Sequence, residues 1–158
     1  MAWVSESPLV AEALAVVARE ARDRGIRFEV ELVEAAVLGR SLDLARMLRN
    51  LVENAVAHSP DGGSIELRAV QDGDLVRISV RDFGSGVSVE DAGRIFQPFF
   101  RGGHERASGR PGTGLGLAIA SEIVRQHANG SLELVAVDGP GACFVATLPA
   151  AKMAPARA

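Results

Sequence analysis

Two alternating runs, "SIELRAV" (64–70) and "DLVRISV" (74–80), lie either side of Asp72-Gly73. Period-2 alternation marks strands with one buried face, and Asp-Gly between two such runs marks a tight hairpin. A hairpin with one apolar face is not stable alone; it needs further strands and a covering layer. The second run also ends on an anomaly. Val76, Ile78 and Val80 share a face, and the next residue on that face is Asp82, followed by Gly84 and Gly86. An unpaired buried carboxylate is costly, so Asp82 needs a partner: its own backbone or a ligand.

The rest of the chain supplies the covering layer. Ser7-Pro8 is a helix start, with Val10, Leu14, Val17 and Ala21 at helical spacing and Gly25 as the stop. "IRFEVEL" alternates as a strand. Ser41 is the expected cap of a second helix carrying Leu44, Met47, Leu48, Leu51 and Ala55 on one stripe, ended by Pro60 and "DGG". Residues 88–112 hold five glycines and no sustained period, which predicts a long, partly mobile loop with short helical pieces. "TGLGLAIASEIVRQHANG" predicts a helix, and "SLELVAV" and "ACFVATL" two strands around "DGPG". Helices with antiparallel hairpins predict a sheet with helices packed on one face.

Composition narrows the function classes. With 158 residues, 47% hydrophobic and 23% charged, the chain reads as one globular domain, 1–150, with a disordered tail at 151–158. A net charge of −3 without a basic run gives no electrostatic case for nucleic acid. The single cysteine, Cys143, excludes a disulfide framework and a Cys-based zinc site. No apolar run approaches the length of a membrane span, and "MAWVSESP" lacks the basic region and apolar core expected of a signal peptide.

Four stretches carry chemistry. In "NLVENAVAH" (50–58), Asn50, Asn54 and His58 fall in one row beside the apolar stripe, while Glu53 faces solvent. Amide oxygens there suit a hydrated Mg²⁺ or simply local hydrogen bonds. In "DFGSG" (82–86), Asp82 accepts from a ligand amine or from its own turn, and the glycines allow close approach. "IFQPFFR" (95–101) is an aromatic cluster in a glycine-rich loop, the pattern of an anchor. "GTGLGL" (112–117) enters a helix whose N–H groups suit phosphate.

In this order and spacing the four resemble the nucleotide-binding domain of sensor histidine kinases, in the wider Bergerat-fold group of gyrase, heat-shock chaperones and mismatch-repair ATPases. The resemblance covers about residues 8–149. It implies a two-layer α/β sandwich: a mixed five-stranded sheet with three main helices on one face. It implies ATP and Mg²⁺ as cofactors. Asp82 would accept from the adenine amino group, Gly84 and Gly86 would open space beside the base, and Asn54 would bind Mg²⁺. Gly112, Thr113, Gly114, Leu115, Gly116 and Leu117 would shape the lid hinge and face the phosphates. Phe96, Phe99 and Phe100 would hold down a lid at 88–112, with Phe99 also counted beside the nucleotide, and Arg101 would approach the phosphates. Asn50, Asn54 and Arg101 form the expected catalytic group.

The sequence departs from the family where many members have Lys then Tyr after the Mg²⁺ asparagine; here stand Ala57 and His58. His58, Arg101, His104, Arg106 or Arg110 are the candidates to replace the missing phosphate contact, and Phe83 either stacks near the base or packs. Asn50 occupies the place where hydrolysing members and anti-sigma-factor serine kinases have a glutamate base. An amide has no useful basicity near neutral pH, which suits transfer to histidine, already nucleophilic when neutral. None of His58, His104 and His127 lies in a phosphoacceptor context, and His127 is expected to cap its helix. The expected protein is therefore longer at its N-terminus, with a dimerisation domain bearing the acceptor histidine, a response regulator partner and an inner-membrane sensor. This chain would be its cytoplasmic catalytic domain, monomeric in isolation. An anti-sigma-factor-like serine kinase and a non-catalytic nucleotide-binding module remain the alternatives.

Overall fold

The computed structural model describes residues 2–3, 8–33, 35–101, 115–127 and 130–151. Five strands form the main sheet: β2 (Arg27–Leu32), β4 (Ser64–Asp72), β5 (Leu75–Asp82), β6 (Ser131–Val135) and β7 (Ala142–Pro149), in the order β2-β4-β5-β7-β6. β2 runs parallel to β4, and the other neighbours are antiparallel, so the sheet is mixed as expected. The β4–β5 hairpin closes at Gly73, whose φ of 59° is the conformation that favours glycine.

Three long helices, α1 (Pro8–Asp23), α2 (Ser41–His58) and α4 (Gly116–Gln126), cover one face, with α2 between the other two. The alternation decides which face. Ile65, Leu67 and Ala69 of β4, Val76, Ile78 and Val80 of β5, and Phe144, Ala146 and Leu148 of β7 all point into one core. From α2 it receives Leu44, Met47, Leu48, Leu51 and Ala55, the stripe read from the sequence, with Val52 and Val56 beside it. The opposite face of the sheet carries charge, including Arg68 between Glu31 and Glu66 at 3.6 Å from each.

Several local expectations are corrected. The N-cap of α2 is Arg40, in extended conformation at φ −83°, ψ 127°, and Ser41 is the first helical residue. The Arg40 carbonyl accepts the Leu44 N–H at 3.0 Å, which starts the helix one residue earlier than a serine cap would. Two two-residue strands have no counterpart in the sequence reading: β1 (Ala2–Trp3) and β3 (Ala36–Val37), paired antiparallel, with Val37 also bridging Ala150. Ala151, first residue of the expected tail, is buried and donates its N–H to the Ala36 carbonyl at 2.8 Å; residues 152–158 lie outside the described residues. Ser7, the expected cap of α1, does too. Of the long loop, the described part includes one short helix, α3 (Val89–Ala92), capped by the Ser88 hydroxyl, which accepts the Asp91 N–H at 3.1 Å. No helix among the described residues is long and apolar enough to cross a membrane.

Candidate nucleotide pocket

Asp82 is the last residue of β5, opposite Ile65 of β4 and Ala142 of β7. It is 2% exposed, so the face predicted from the alternation is the face it occupies. Its Oδ1 accepts the Gly84 N–H at 3.0 Å. Burial pushes its pKa above the ordinary carboxylate range, opposed by the Gly84 hydrogen bond and by the nearby His58. The turn contact read as one explanation of Asp82 is present, and the carboxylate also lines a pocket.

That pocket encloses a cavity of about 60 Å³ and opens to solvent at its mouth. Asn54 and His58 of α2 form one wall and Asp82 part of the floor. Gly86, Val87, Ser88, Asp91, Ile95, Phe100 and Leu117 also line it. Ala142 and Phe144 of β7 complete the lining. The arrangement is a mostly apolar slot with a hydrogen-bonding carboxylate at its base and amide and imidazole groups on one side.

Of the residues singled out from the sequence, Asn54, His58, Asp82, Gly86, Phe100 and Leu117 meet in the pocket. Asn50 does not line it. It is buried one turn earlier on α2, and its Nδ2 has no partner among the described residues. A methyl placed on Gly116, the first residue of α4, would lie 3.9 Å from Asn50 Oδ1. Leu115 is the N-cap of that helix; Gly112, Thr113 and Gly114, with His104, Arg106 and Arg110, lie outside the described residues. Gly84 also stands outside the pocket lining. A Cβ there would lie 1.9 Å from the His58 carbonyl oxygen, so this glycine serves backbone packing between β5 and α2. Gly141 does the same on the other flank, where a Cβ would lie 1.9 Å from the Asp82 carbonyl oxygen.

The aromatic cluster divides. Phe96 and Phe100 pack against the core, Phe96 edge-on to Phe144 with centroids 6.0 Å apart and Phe100 under the Arg94 guanidinium at 4.8 Å. Phe99 is not an anchor: it is 74% exposed, with a φ of 65°. It lines a second depression with Arg94, Gln97, Pro98, Phe100 and Arg101, and neither Phe99 nor Arg101 is among the residues lining the first pocket. Phe83 lies under the Arg81 guanidinium at 4.4 Å. Glu53 faces solvent, 3.7 Å from Arg49, and His127 caps α4, its Nδ1 donating to the Ile123 carbonyl at 2.6 Å.

Val87, Ser88, Asp91, Ala142 and Phe144 were not singled out from the sequence. The Ser88-x-x-Asp91 spacing is a helix-start signature that marks α3. Ala142 and Phe144 stand on the inward positions of "ACFVATL", but only the β5–β7 register brings them beside Asp82.

Residues 39–152 match the family model described as "Histidine kinase-, DNA gyrase B-, and HSP90-like ATPase". The chain belongs to that family. It is 36% identical over 149 residues to the sensor histidine kinase GlrK of Escherichia coli (strain K12), covering 94% of this chain and 31% of that protein. It is 38% identical over 142 residues to the sensor histidine kinase MtrB of Mycolicibacterium paratuberculosis (strain ATCC BAA-968 / K-10), covering 89% of this chain and 25% of that protein. The chain thus spans about a third or less of these relatives. Among solved structures, the mycobacterial sensor histidine kinase MprB superposes with a TM-score of 0.84 at 31% identity, covering 96% of this chain and 99% of that one. Full-length ShkA in complex with AMPPNP superposes at 0.78 with 29% identity, covering 97% of this chain and 32% of that one.

Proposed function

We propose that this chain is the ATP-binding catalytic domain of a two-component sensor histidine kinase. It would bind Mg-ATP and pass the γ-phosphoryl group to a histidine nitrogen on a dimerisation domain, with ADP as the leaving product. The observation that carries the reading is the buried Asp82 carboxylate at the base of a pocket whose wall holds Asn54 and His58. A fixed carboxylate accepts from the exocyclic amine of adenine, and guanine offers a carbonyl there instead. The similarity to the histidine kinases GlrK and MtrB, and to the AMPPNP complex of ShkA, supports the same reading.

The residues present fit Mg²⁺ held chiefly by phosphates and water. No group of three or more His, Cys, Asp or Glu among the described residues would hold a metal by itself, and Asn54 offers one neutral oxygen to the pocket. Mg²⁺ takes oxygen ligands and keeps several waters; bound, it would neutralise phosphate charge during transfer. Asn54 would orient the ion, Asp82 the base, and Ile95, Phe100 and Leu117 would exclude water from the base. Asn50 is an amide and offers no base for activating water or a serine hydroxyl. That disfavours the serine kinase alternative and leaves the chemistry to an acceptor that needs no activation. We read residues 1–150 as this domain, segment 88–112 as the lid, and the isolated domain as a monomer working in the cytoplasm. Its acceptor domain and response regulator would be its protein partners.

Calorimetric titration with ATP, with and without Mg²⁺ and with GTP as control, tests the binding. Selective ATP binding followed by labelling of a purified phosphoacceptor domain from [γ-³²P]ATP is the expected result. Binding without labelling would favour the nucleotide-binding module, and no selectivity for ATP over GTP would refute the role of Asp82.

A further inference from the structure

Arg24 lies just past the end of α1 and reaches groups 32 to 37 residues away in the chain. Its side chain is 15% exposed. Nη1 donates to the Val56 carbonyl at 2.7 Å, Nη2 to the Ser59 carbonyl, and Nε to Asp61 Oδ1 at 2.7 Å. Glu20 Oε1 accepts from Nη1 at 3.3 Å, and the Arg24 carbonyl accepts the Gly62 N–H at 2.8 Å. The last carbonyls of a helix lack intrahelical partners and carry partial negative charge. A planar guanidinium supplies fixed donors and opposite charge together. Arg24 therefore closes the C-terminus of α2 from outside that helix.

The turn it closes bears on the pocket. Val56 and Ser59 bracket His58, whose side chain lines the pocket and whose carbonyl is packed against Gly84. Gly84 in turn holds Asp82 through its N–H. Three successive contacts thus run from Arg24 to the carboxylate: guanidinium to α2 carbonyls, α2 backbone to Gly84, and Gly84 to Asp82.

We infer that Arg24 is a positioning residue for the pocket, fixing the last turn of α2 and, through the His58–Gly84 contact, the direction of the Asp82 carboxylate. The inference rests on the reading of the pocket as a nucleotide site. It makes the end of α1, which does not line the pocket, a determinant of nucleotide affinity. Lysine does not replace arginine here, because a point charge on a flexible stem cannot hold both carbonyls in one plane.

The test compares wild type, Arg24→Ala, Arg24→Lys and Asp61→Ala by two readouts: the Gly84 amide resonance in nucleotide-free protein, and ATP affinity. Arg24→Ala and Arg24→Lys are expected to shift the Gly84 resonance and weaken ATP binding by about 10- to 100-fold, the scale of a misplaced contact group. Asp61→Ala, which removes only the exposed arm, is expected to leave both unchanged. If Arg24→Ala does not fold, Arg24→Lys carries the test. A folded Arg24→Lys protein with an unmoved Gly84 resonance and wild-type ATP affinity would overturn the inference. Wild-type protein that fails to bind ATP would sink the nucleotide reading, while the Gly84 resonance still decides the role of Arg24.

Discussion

Gly84 and His58 are in backbone contact so close that a Cβ on the glycine would lie 1.9 Å from the histidine's carbonyl oxygen. Gly84→Ala must therefore push β5 and α2 apart. The expected cost is about 2–4 kcal/mol, read as a lower midpoint in chemical denaturation, together with weaker ATP binding. Gly73→Ala is the control: its φ is 59° with open space around it, so only the backbone conformation is penalised, about 1 kcal/mol. Equal losses from the two substitutions would contradict the packing role of Gly84.

Asp82→Asn separates stability from function. A buried carboxylate whose pKa is raised on folding contributes stability that is full below the unfolded value, about 3.8, and is lost as pH rises through the folded value. An amide at the same place carries no cost of ionising a buried group. Nucleotide-free Asp82→Asn is expected to melt higher relative to wild type as pH rises above 4, with the advantage shrinking toward pH 4. ATP affinity should fall at least tenfold, since an amide no longer offers the same acceptor to the base. Melting curves across pH and a parallel ATP titration check both parts.

Asn54→Ala should leave ATP binding in EDTA unchanged and abolish the gain in affinity that Mg²⁺ gives the wild-type protein. Asn54 is half-buried on the pocket wall and is not part of the core stripe of α2, so the fold should persist. A Mg²⁺ dependence equal to wild type would remove Asn54 from the metal.

Phe96→Ala and Phe99→Ala should behave oppositely, although three residues apart. Phe96 is edge-on to Phe144 beneath the pocket rim, and its loss is expected to cost about 2–3 kcal/mol and to weaken ATP binding. Phe99, 74% exposed, should change stability by no more than about 0.5 kcal/mol. Denaturant midpoints of the two variants decide it.

These contrasts mark how far the sequence could be read. The position of Asp82 followed from counting by twos from Val76, because a strand with one buried face leaves no other choice. The α2 stripe and the order of the elements followed from equally strict periods. Phe96, Phe99 and Phe100 looked alike, because hydrophobicity does not record that a chain turning through positive φ at Phe99 points that ring outward. Gly84 was read as room for a ligand, and is room for the neighbouring helix; only the distance to His58 separates the two. Phe144 joined the pocket through strand order, which no local pattern encodes. Ala2–Trp3 and Ala36–Val37 are too short to have a period at all.

Those two short strands sit at an end of the molecule with its own consequence. Val37 bridges Ala150, beyond the end of β7 that pairs with Leu75, whereas the pocket lies at the other end, where Ala142 pairs with Asp82. The length of β7, roughly 25 Å of extended chain, separates the clasp from the pocket. The clasp that joins Ala2–Trp3, Ala36–Val37 and Ala150 thus fastens the chain near both of its ends at the edge of the fold farthest along β7 from Asp82.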